Sequence, residues 1–397
     1  MSGHHAVLID NLREAQDFIK LIGSDDKAFG YMGPKAIHRI IKLKNIRSLA
    51  ANIIKQEILS KGGEAAVSKS ALFAEGYTDV LLMGTIKQYR ELNKKLKLQP
   101  FGLKKIASEI DAIIRNLEKK AYTMVLANGQ TMEIGQGTLI MGILNVTPDS
   151  FSDGGQFFDT DLAIDRAKQM IADGADIIDI GGASSRPDAL IADGETELKR
   201  ILPVVQALAR EDTIISIDTF RGSVAQAALE AGAHMINDIG SLQLDPSLLS
   251  VLIDRKSPVV LMHNRLQIRR GEAYGDLISD IITELRESID RALEGGLGEN
   301  QIIIDPGIGF GKTAQENRII IKRLREFKGM GYPILLGASR KSFIGHTLGV
   351  GVKESLEASL AVAGIGIMNG ANIIRVHDVR ASKQIALMTD AVVNEDG

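Results

Sequence analysis

The chain has 397 residues, 45% hydrophobic and 24% charged, with formal net charge −3 and no cysteine, which excludes disulfides, thiolate metal sites and cysteine nucleophiles. There is no basic-then-apolar leader pattern and no uncharged run near about 18 residues, so no membrane is expected and the expected compartment is the cytoplasm. Charge is uneven: residues 1–121 carry 21 basic and 13 acidic side chains, net +8, and residues 122–397 carry 26 and 37, net −11, a split that suggests two units with different surfaces.

Residues 11–22 read as a short helix closed by Gly23, and the rest of this first stretch, including Gly30 and Gly33-Pro34, as loop. His4 and His5 are read as unstructured terminal residues. Residues 38–46, HRIIKLKNI, alternate apolar and basic as a half-buried strand would. Ser48 is expected to cap a helix to residue 59, with Leu49, Ile53, Ile54 and Ile58 on one face and Gly62-Gly63 at its end. Residues 64–72 and 78–83 read as strands, 85–98 as a basic helix, 100–102 as a break and 103–121 as a long amphipathic helix. The order β-α-β-β-α-α predicts a small α+β domain of ferredoxin-like type over 1–121, without a catalytic constellation. Few aromatics interleave its basic residues, so a solvated face that docks on protein is favoured over a nucleic-acid site.

Residues 122–135 form a hairpin pattern around Asn128-Gly129. Apolar strand candidates then recur at 138–144, 177–180, 214–217, 235–239, 258–262, 301–304, 333–336 and 373–376. Amphipathic helices lie between them, such as 161–173, 195–210 and 222–231, with the eighth at 382–393. Eight β-then-α units in one acidic segment predict a (β/α)8 TIM barrel over 122–397, with a doubly wound sheet as the alternative. The repeat is structural, without close sequence self-similarity.

Nearly every predicted strand ends in polar residues: Asn145, Ser184-Ser185-Arg186, Asp218, Asn237-Asp238, His263-Asn264, Asp305, Ser339-Arg340-Lys341, and Arg375 with His377 and Asp378. Each alone could cap the following helix. Together they point to a site, because capping does not call for arginine and lysine at strand ends and a barrel gathers these ends on one rim. Asp218, Asn237 and Asp305 suit a flat heterocycle presenting N–H donors. Arg375, His377 and Lys341 bring donors and positive charge suited to a phosphate-bearing ligand. Residues 307–313, GIGFGKT, miss the phosphate-loop spacing, since Pro306 stands where its first glycine belongs, and the glycines also miss the dinucleotide spacing. No His-x-x-x-His or cysteine pair marks a metal site.

Seven blocks resemble the dihydropteroate synthases of the pterin-binding family, in order: NVTPDSFSDGG (145–155), DIGGASSRP (179–187), SIDT (216–219), NDI (237–239), DPGIGFGKT (305–313), GASRKSFIG (337–345) and RVHDV (375–379). The resemblance covers residues 138 to the C-terminus and implies a (β/α)8 barrel, Mg2+ as cofactor, a homodimer, and condensation of 6-hydroxymethyl-7,8-dihydropterin diphosphate with p-aminobenzoate. It implies a pterin pocket of Asp218, Asn237, Asp305 and Lys341, with Ile239, Met262, Phe310 and Gly337 around the ring. It implies a diphosphate site of Asn145, Ser185, Arg375 and His377, with Asn145 near the magnesium. On the aminobenzoate side it implies Phe151, Arg186, Pro187, Lys341 and Ser342. Phe151 and Asp153 would lie on a mobile first loop and Arg186 on a second.

The implied mechanism is ionisation first: diphosphate leaves, a pterin-stabilised cation forms, and the arylamine attacks. The chain departs from the family's Gly-Gly-Glu-Ser-Thr-Arg-Pro-Gly loop at Ala183, Ser185 and Asp188, and from Met-His-Met at Asn264. Two rival readings are a methyltetrahydrofolate-binding corrinoid methyltransferase domain and a pterin-binding paralogue without turnover. The first should lack the Ser-Arg-Lys-Ser block and the first-loop signature, and both are present here.

Overall fold

The computed structural model describes residues 3–73, 75–147, 160–183, 193–349, 351 and 355–395. They fall into two compact units, Met1–Lys119 and Lys120–Gly397. Among the described residues no helix is long and apolar enough to cross a membrane.

The first unit runs α1 (Leu12–Leu21), α2 (Asp26–Ala36), β1 (His38–Arg47), α3 (Ser48–Leu59), β2 (Glu64–Val67), β3 (Tyr77–Thr85), α4 (Ile86–Leu96) and α5 (Leu103–Glu118). Asn11 caps α1 by accepting from Glu14 N at 3.1 Å. The loop expected after it is instead helix α2, started by Asp25, which accepts from Lys27 N at 2.7 Å. Gly33 and Pro34 are buried inside α2, and Leu12 Cδ2 sits 3.9 Å from where a Gly33 Cβ would lie. Packing against α1 has outweighed their weak helix propensity. Ser48 does not cap α3: it is the first helical residue, and its hydroxyl donates to Glu75 O at 2.6 Å. The strand expected over 64–72 stops at Val67 and becomes a 3-10 turn, Lys69–Phe73.

The three strands pair antiparallel in the order β1-β3-β2, the arrangement of a split βαβ unit. Among the described residues the sheet has three strands, without the fourth of a ferredoxin-like sheet, and α5 stands in its place in the chain. One sheet face carries Ile41, Leu43, Val80 and Leu82 into a core with Ile54, Ile58, Leu92, Leu103 and Ile110. Tyr89 is buried in that core, and its hydroxyl is satisfied by Arg39 O at 2.9 Å.

The second unit opens with the hairpin β4 (Tyr122–Val125) and β5 (Thr131–Ile134), turned at Gly129, whose φ is 84°. Eight parallel strands follow: β6 (Leu139–Asn145), β7 (Ile177–Gly181), β8 (Ile214–Asp218), β9 (Met235–Asp238), β10 (Val259–Met262), β11 (Ile302–Asp305), β12 (Leu335–Leu336) and β13 (Ile373–Val376). Their order is β11-β10-β9-β8-β7-β6-β13-β12. A parallel bridge between Ile304 and Ile334 joins the two ends and closes the barrel, so the doubly wound alternative falls.

The helices between strands are α6 (Thr160–Ala172), α7 (Gly194–Leu208), α8 (Gly222–Glu230), α9 (Ser247–Asp254), α10 (Leu277–Gly295), α11 (Ala314–Lys322), α12 (Ser342–Leu348), α13 (Leu356–Met368) and α14 (Val379–Asn394). Met124, Leu126, Met132 and Ile134 of the hairpin pack on Met141, Ile177, Met235, Val260, Ile303, Leu335 and Ile373. The hairpin thereby plugs the mouth at the strands' N-terminal ends, leaving the C-terminal rim for chemistry.

Candidate active site

Period-two alternation decides what fills the barrel. Ile178, Ile180, Ile215, Ile217, Ile236, Leu261, Ile302, Ile304, Leu336 and Ile374 belong to the cluster shared with the outer helices. The inward positions begin with the apolar layer against the hairpin. Two residues further along, the inward positions are Ile143, Asp179, Ser216, Asn237, Met262, Asp305, Gly337 and Arg375. Asp218 follows Ser216 by two more. A polar layer thus sits directly above an apolar one.

Asp179 is the hub of that layer. It is fully buried and accepts from Ser216 Oγ at 2.6 Å, Asn237 Nδ2 at 3.0 Å and Arg375 Nε at 2.6 Å. Arg375 Nη2 donates to Asp218 Oδ2 at 2.6 Å. Burial pushes the Asp218 carboxyl up to about 7 although Arg375 opposes it, and burial also raises Asp305, opposed first by Lys341. Asp305 Oδ1 accepts from Gly307 N at 2.7 Å. Asp218 Oδ1, Asn237 Oδ1 and Asp305 Oδ2 have no hydrogen-bond partner among the described residues. Gly337 keeps space beside them: a Cβ there would lie 4.0 Å from Asp305 Oδ2 and 3.8 Å from Arg375 Cβ.

Lys341 precedes α12 and donates to Ile308 O, with its ammonium 4.6 Å above the Phe310 ring. Burial lowers it to about 8, against the pull of Asp305. Ser342, the first residue of α12, is exposed beside it. Ile239 and Met262 are buried at the ends of β9 and β10. Asn264 donates to Ile239 O at 2.9 Å and accepts from Leu266 N and Gln267 N, so the departure at this position builds a turn. Asn145 ends β6 exposed.

Burial, with Arg375 next, pushes His377 down to about 4, which favours the neutral ring in the free protein; its Nδ1 lies 3.1 Å from Ser339 Oγ. Arg375 is likewise largely neutralised by Asp179 and Asp218, with Nη1 alone unpartnered among the described residues. Phe151, Asp153, Ser185, Arg186 and Pro187 lie outside the described residues.

Sequence reasoning missed two features. Asp179 lay inside what read as a plain strand, although its place two residues after Ile177 marks it as inward. The second is a charged cluster between the loops after β10 and β11. There His263 meets Glu284 and Lys312, and Arg265 meets Glu284. His263 falls to about 4 and Lys312 to about 7, both chiefly through burial.

The pterin binding enzyme family matches residues 141–377. A dihydropteroate synthase of Bacillus subtilis is 47% identical over 261 residues, covering 66% of this chain and 90% of its own. A probable bifunctional folylpolyglutamate synthase/dihydropteroate synthase of Haloferax volcanii is 36% identical over 373 residues, covering 91% of this chain and 44% of its own. A crystal structure of dihydropteroate synthase from Clostridium difficile in the presence of pteroic acid matches with TM-score 0.63 and 45% identity, covering 66% of this chain and 99% of its own. Another, from Xanthomonas albilineans with 4-aminobenzoic acid, matches with TM-score 0.65 and 35% identity, covering 70% of this chain and 100% of its own.

Proposed function

The chain belongs to the pterin-binding enzymes, and among them to the dihydropteroate synthases of folate biosynthesis; from that premise we propose how its rim divides the work. The transferase joins 6-hydroxymethyl-7,8-dihydropterin diphosphate to p-aminobenzoate, releasing pyrophosphate and 7,8-dihydropteroate. The relatives' shared name favours this over the corrinoid methyltransferase.

The pterin is assigned to the polar layer. The observation that carries this is the trio of free acceptors, Asp218 Oδ1, Asn237 Oδ1 and Asp305 Oδ2, at the ends of β8, β9 and β11. A ring that covers these acceptors without pairing them would cost about 1–3 kcal/mol for each, and a ring rich in N–H donors pairs them. Lys341 covers the ring, with Ile239, Met262, Phe310 and Gly337 as its walls.

The diphosphate is assigned to Asn145, Ser185, His377 and the remaining face of Arg375. An anion arriving there would favour the charged form of His377, so the leaving group itself would recruit that charge. Mg2+ is the proposed cofactor. Among the described residues no group of three or more His, Asp or Glu could hold a metal. Mg2+ beside a phosphate ester keeps waters and takes one or two protein oxygens, a demand that Asn145 Oδ1 at the rim meets. Bound there, it would neutralise charge on the diphosphate. The arylamine is a nucleophile when neutral, so this chain need supply no strong base. Phe151, Asp153, Ser185, Arg186, Pro187, Lys341 and Ser342 are assigned to hold it.

Residues 1–121 are proposed as a separable unit without a catalytic group. The alignment to the Haloferax protein covers 91% of this chain and so runs well into that unit, which supports a role beside such barrels. A cytoplasmic location and a homodimer are proposed on the family resemblance.

Pyrophosphate release from both substrates tests the activity and rejects the paralogue reading if present. Aminobenzoate affinity tests the loops: tight binding is expected only with pyrophosphate and Mg2+ present, and equal affinity without them would sink loop closure over the diphosphate.

A further inference from the structure

Residues 307–312 fail as a phosphate loop by spacing, and their geometry inverts one. Gly307, Gly309 and Gly311 all lie at positive φ, 70°, 84° and 69°. A Cβ at Gly307 would come 1.8 Å from His263 O, and one at Gly311 would come 2.7 Å from the Arg265 carbonyl carbon. The turn therefore packs directly on the backbone of 263–265. In a phosphate loop, N–H groups converge on an anion. Here carbonyls converge on a cation from the turn itself: Lys312 Nζ donates to Gly307 O at 2.8 Å and Phe310 O at 3.2 Å, and lies 2.9 Å from His263 Nδ1.

Nζ also donates to His263 O at 3.4 Å, so four acceptors share its N–H donors. His263 can accept because its Nε2 faces Glu284 Oε2 at 3.0 Å, which fixes the Nε2–H tautomer. Burial would raise Glu284, but hydrogen bonds from His263 and Arg265 bring it down to about 2, so it stays an acceptor. Arg265 in turn stacks 3.9 Å over the Tyr274 ring. Lys312 thus ends a chain of fixed groups anchored on α10.

The turn so held presents two groups to Lys341, the Ile308 carbonyl and the Phe310 ring. We propose that Lys312 is a positioning residue for pterin binding: as the internal N–H donor of the 307–311 turn, it sets Ile308 O and Phe310 where they orient Lys341. The inference rests on the assignment of Lys341 to the pterin pocket.

The test is a double-mutant cycle on the full chain, with pterin affinity read by calorimetry and folding by melting temperature. Lys312→Met is expected to weaken pterin binding about tenfold in the wild-type background and less than about twofold in Lys341→Ala. Lys312→Gln, which keeps two N–H donors on a shorter side chain, is expected to fall between and serves in the same cycle if the methionine variant does not fold. Equal losses in both backgrounds would overturn the proposal, because Lys312 would then act independently of Lys341. A lowered melting temperature with pterin affinity held within about twofold would overturn it too, leaving Lys312 a packing cation. Unchanged affinity in Lys341→Ala alone would instead remove the pocket assignment beneath it.

Discussion

In the N-terminal unit, ion pairs such as Lys105–Glu109 and Lys42–Asp79 leave their side chains 85% and 51%, and 37% and 46%, exposed. In the barrel, Arg375 and Asp179 meet at 18% and 0%. Exposed pairs contribute about 0–1 kcal/mol because water screens them. Buried pairs depend on both members being present, since either one alone is a desolvated charge. The +8 of the N-terminal unit is assigned no site, while the barrel's −11 conceals Arg375 and Lys341, the cations assigned to one. The proposed division of work rests on a carboxylate fully buried in its ion pair, Asp179, and not on how much charge each unit carries.

The largest effect expected from this contrast is in Arg375→Met. It leaves Asp179 and Asp218 facing each other without a counter-charge and should cost about 3–5 kcal/mol in denaturant unfolding. Adding Asp179→Asn should return part of that loss. A cost under about 1 kcal/mol would put Arg375 in the same class as Lys105 and end the distinction.

Next are Lys341→Ala and Asp305→Ala, each expected to lose about 1–3 kcal/mol of pterin affinity by calorimetry. Unchanged affinity in both variants would remove the pocket from this rim.

A pH dependence sharpens the contrast further. Asp218 sits at about 7 when folded and near about 3.9 unfolded. Between those values the folded state holds the extra proton, so this group adds stability as pH falls through the window and adds none above it. His377 has the opposite sign: at about 4 folded and about 6.5 unfolded, it costs stability as pH falls from 6.5 towards 4. The two slopes oppose each other in the wild type. Relative to it, Asp218→Asn should lose stability on acidification from about pH 6.5 to 4, and His377→Asn should gain. Slopes are the readout, since either substitution can also shift the whole curve; parallel curves for all three proteins would refute both assignments.

The rim could be read from the chain because a buried parallel strand is apolar until it ends, so Asn145, Asp218, Asp305 and Arg375 stand out against what precedes them. Asp179 did not stand out because it lies within such a strand, and only the inward alternation from Ile177 exposes it. The Lys312–His263–Glu284 chain was hidden for a different reason. Its members are far apart in sequence and belong to two loops and a helix, so tertiary packing alone brings them together. In the N-terminal unit, the same packing overrode local signals at Gly33-Pro34, which sit inside a helix, and at Ser48, whose hydroxyl turned to Glu75 O. Short polar side chains commit to whichever backbone partner the fold offers.

The smallest expected effect is the most direct test of the contrast. The barrel carries its own plug, since β4 and β5 close its N-terminal mouth with Met124, Leu126, Met132 and Ile134. Its ring of eight strands is closed by the bridge at Ile304, and every residue assigned a role lies beyond Thr138. The plug needs Lys120, because a Cβ at Gly135 would lie 1.8 Å from Lys120 O, so the hairpin base folds over that backbone. A chain beginning at Lys119 keeps this contact and removes the exposed-charge unit. It should fold by circular dichroism, bind pterin with wild-type affinity and form dihydropteroate with kcat within about twofold, a change of under about 0.5 kcal/mol in barrier. If it folds and binds pterin yet does not turn over, the N-terminal unit supplies a group or a motion to the reaction, and exposed charge is then no sign of an idle region.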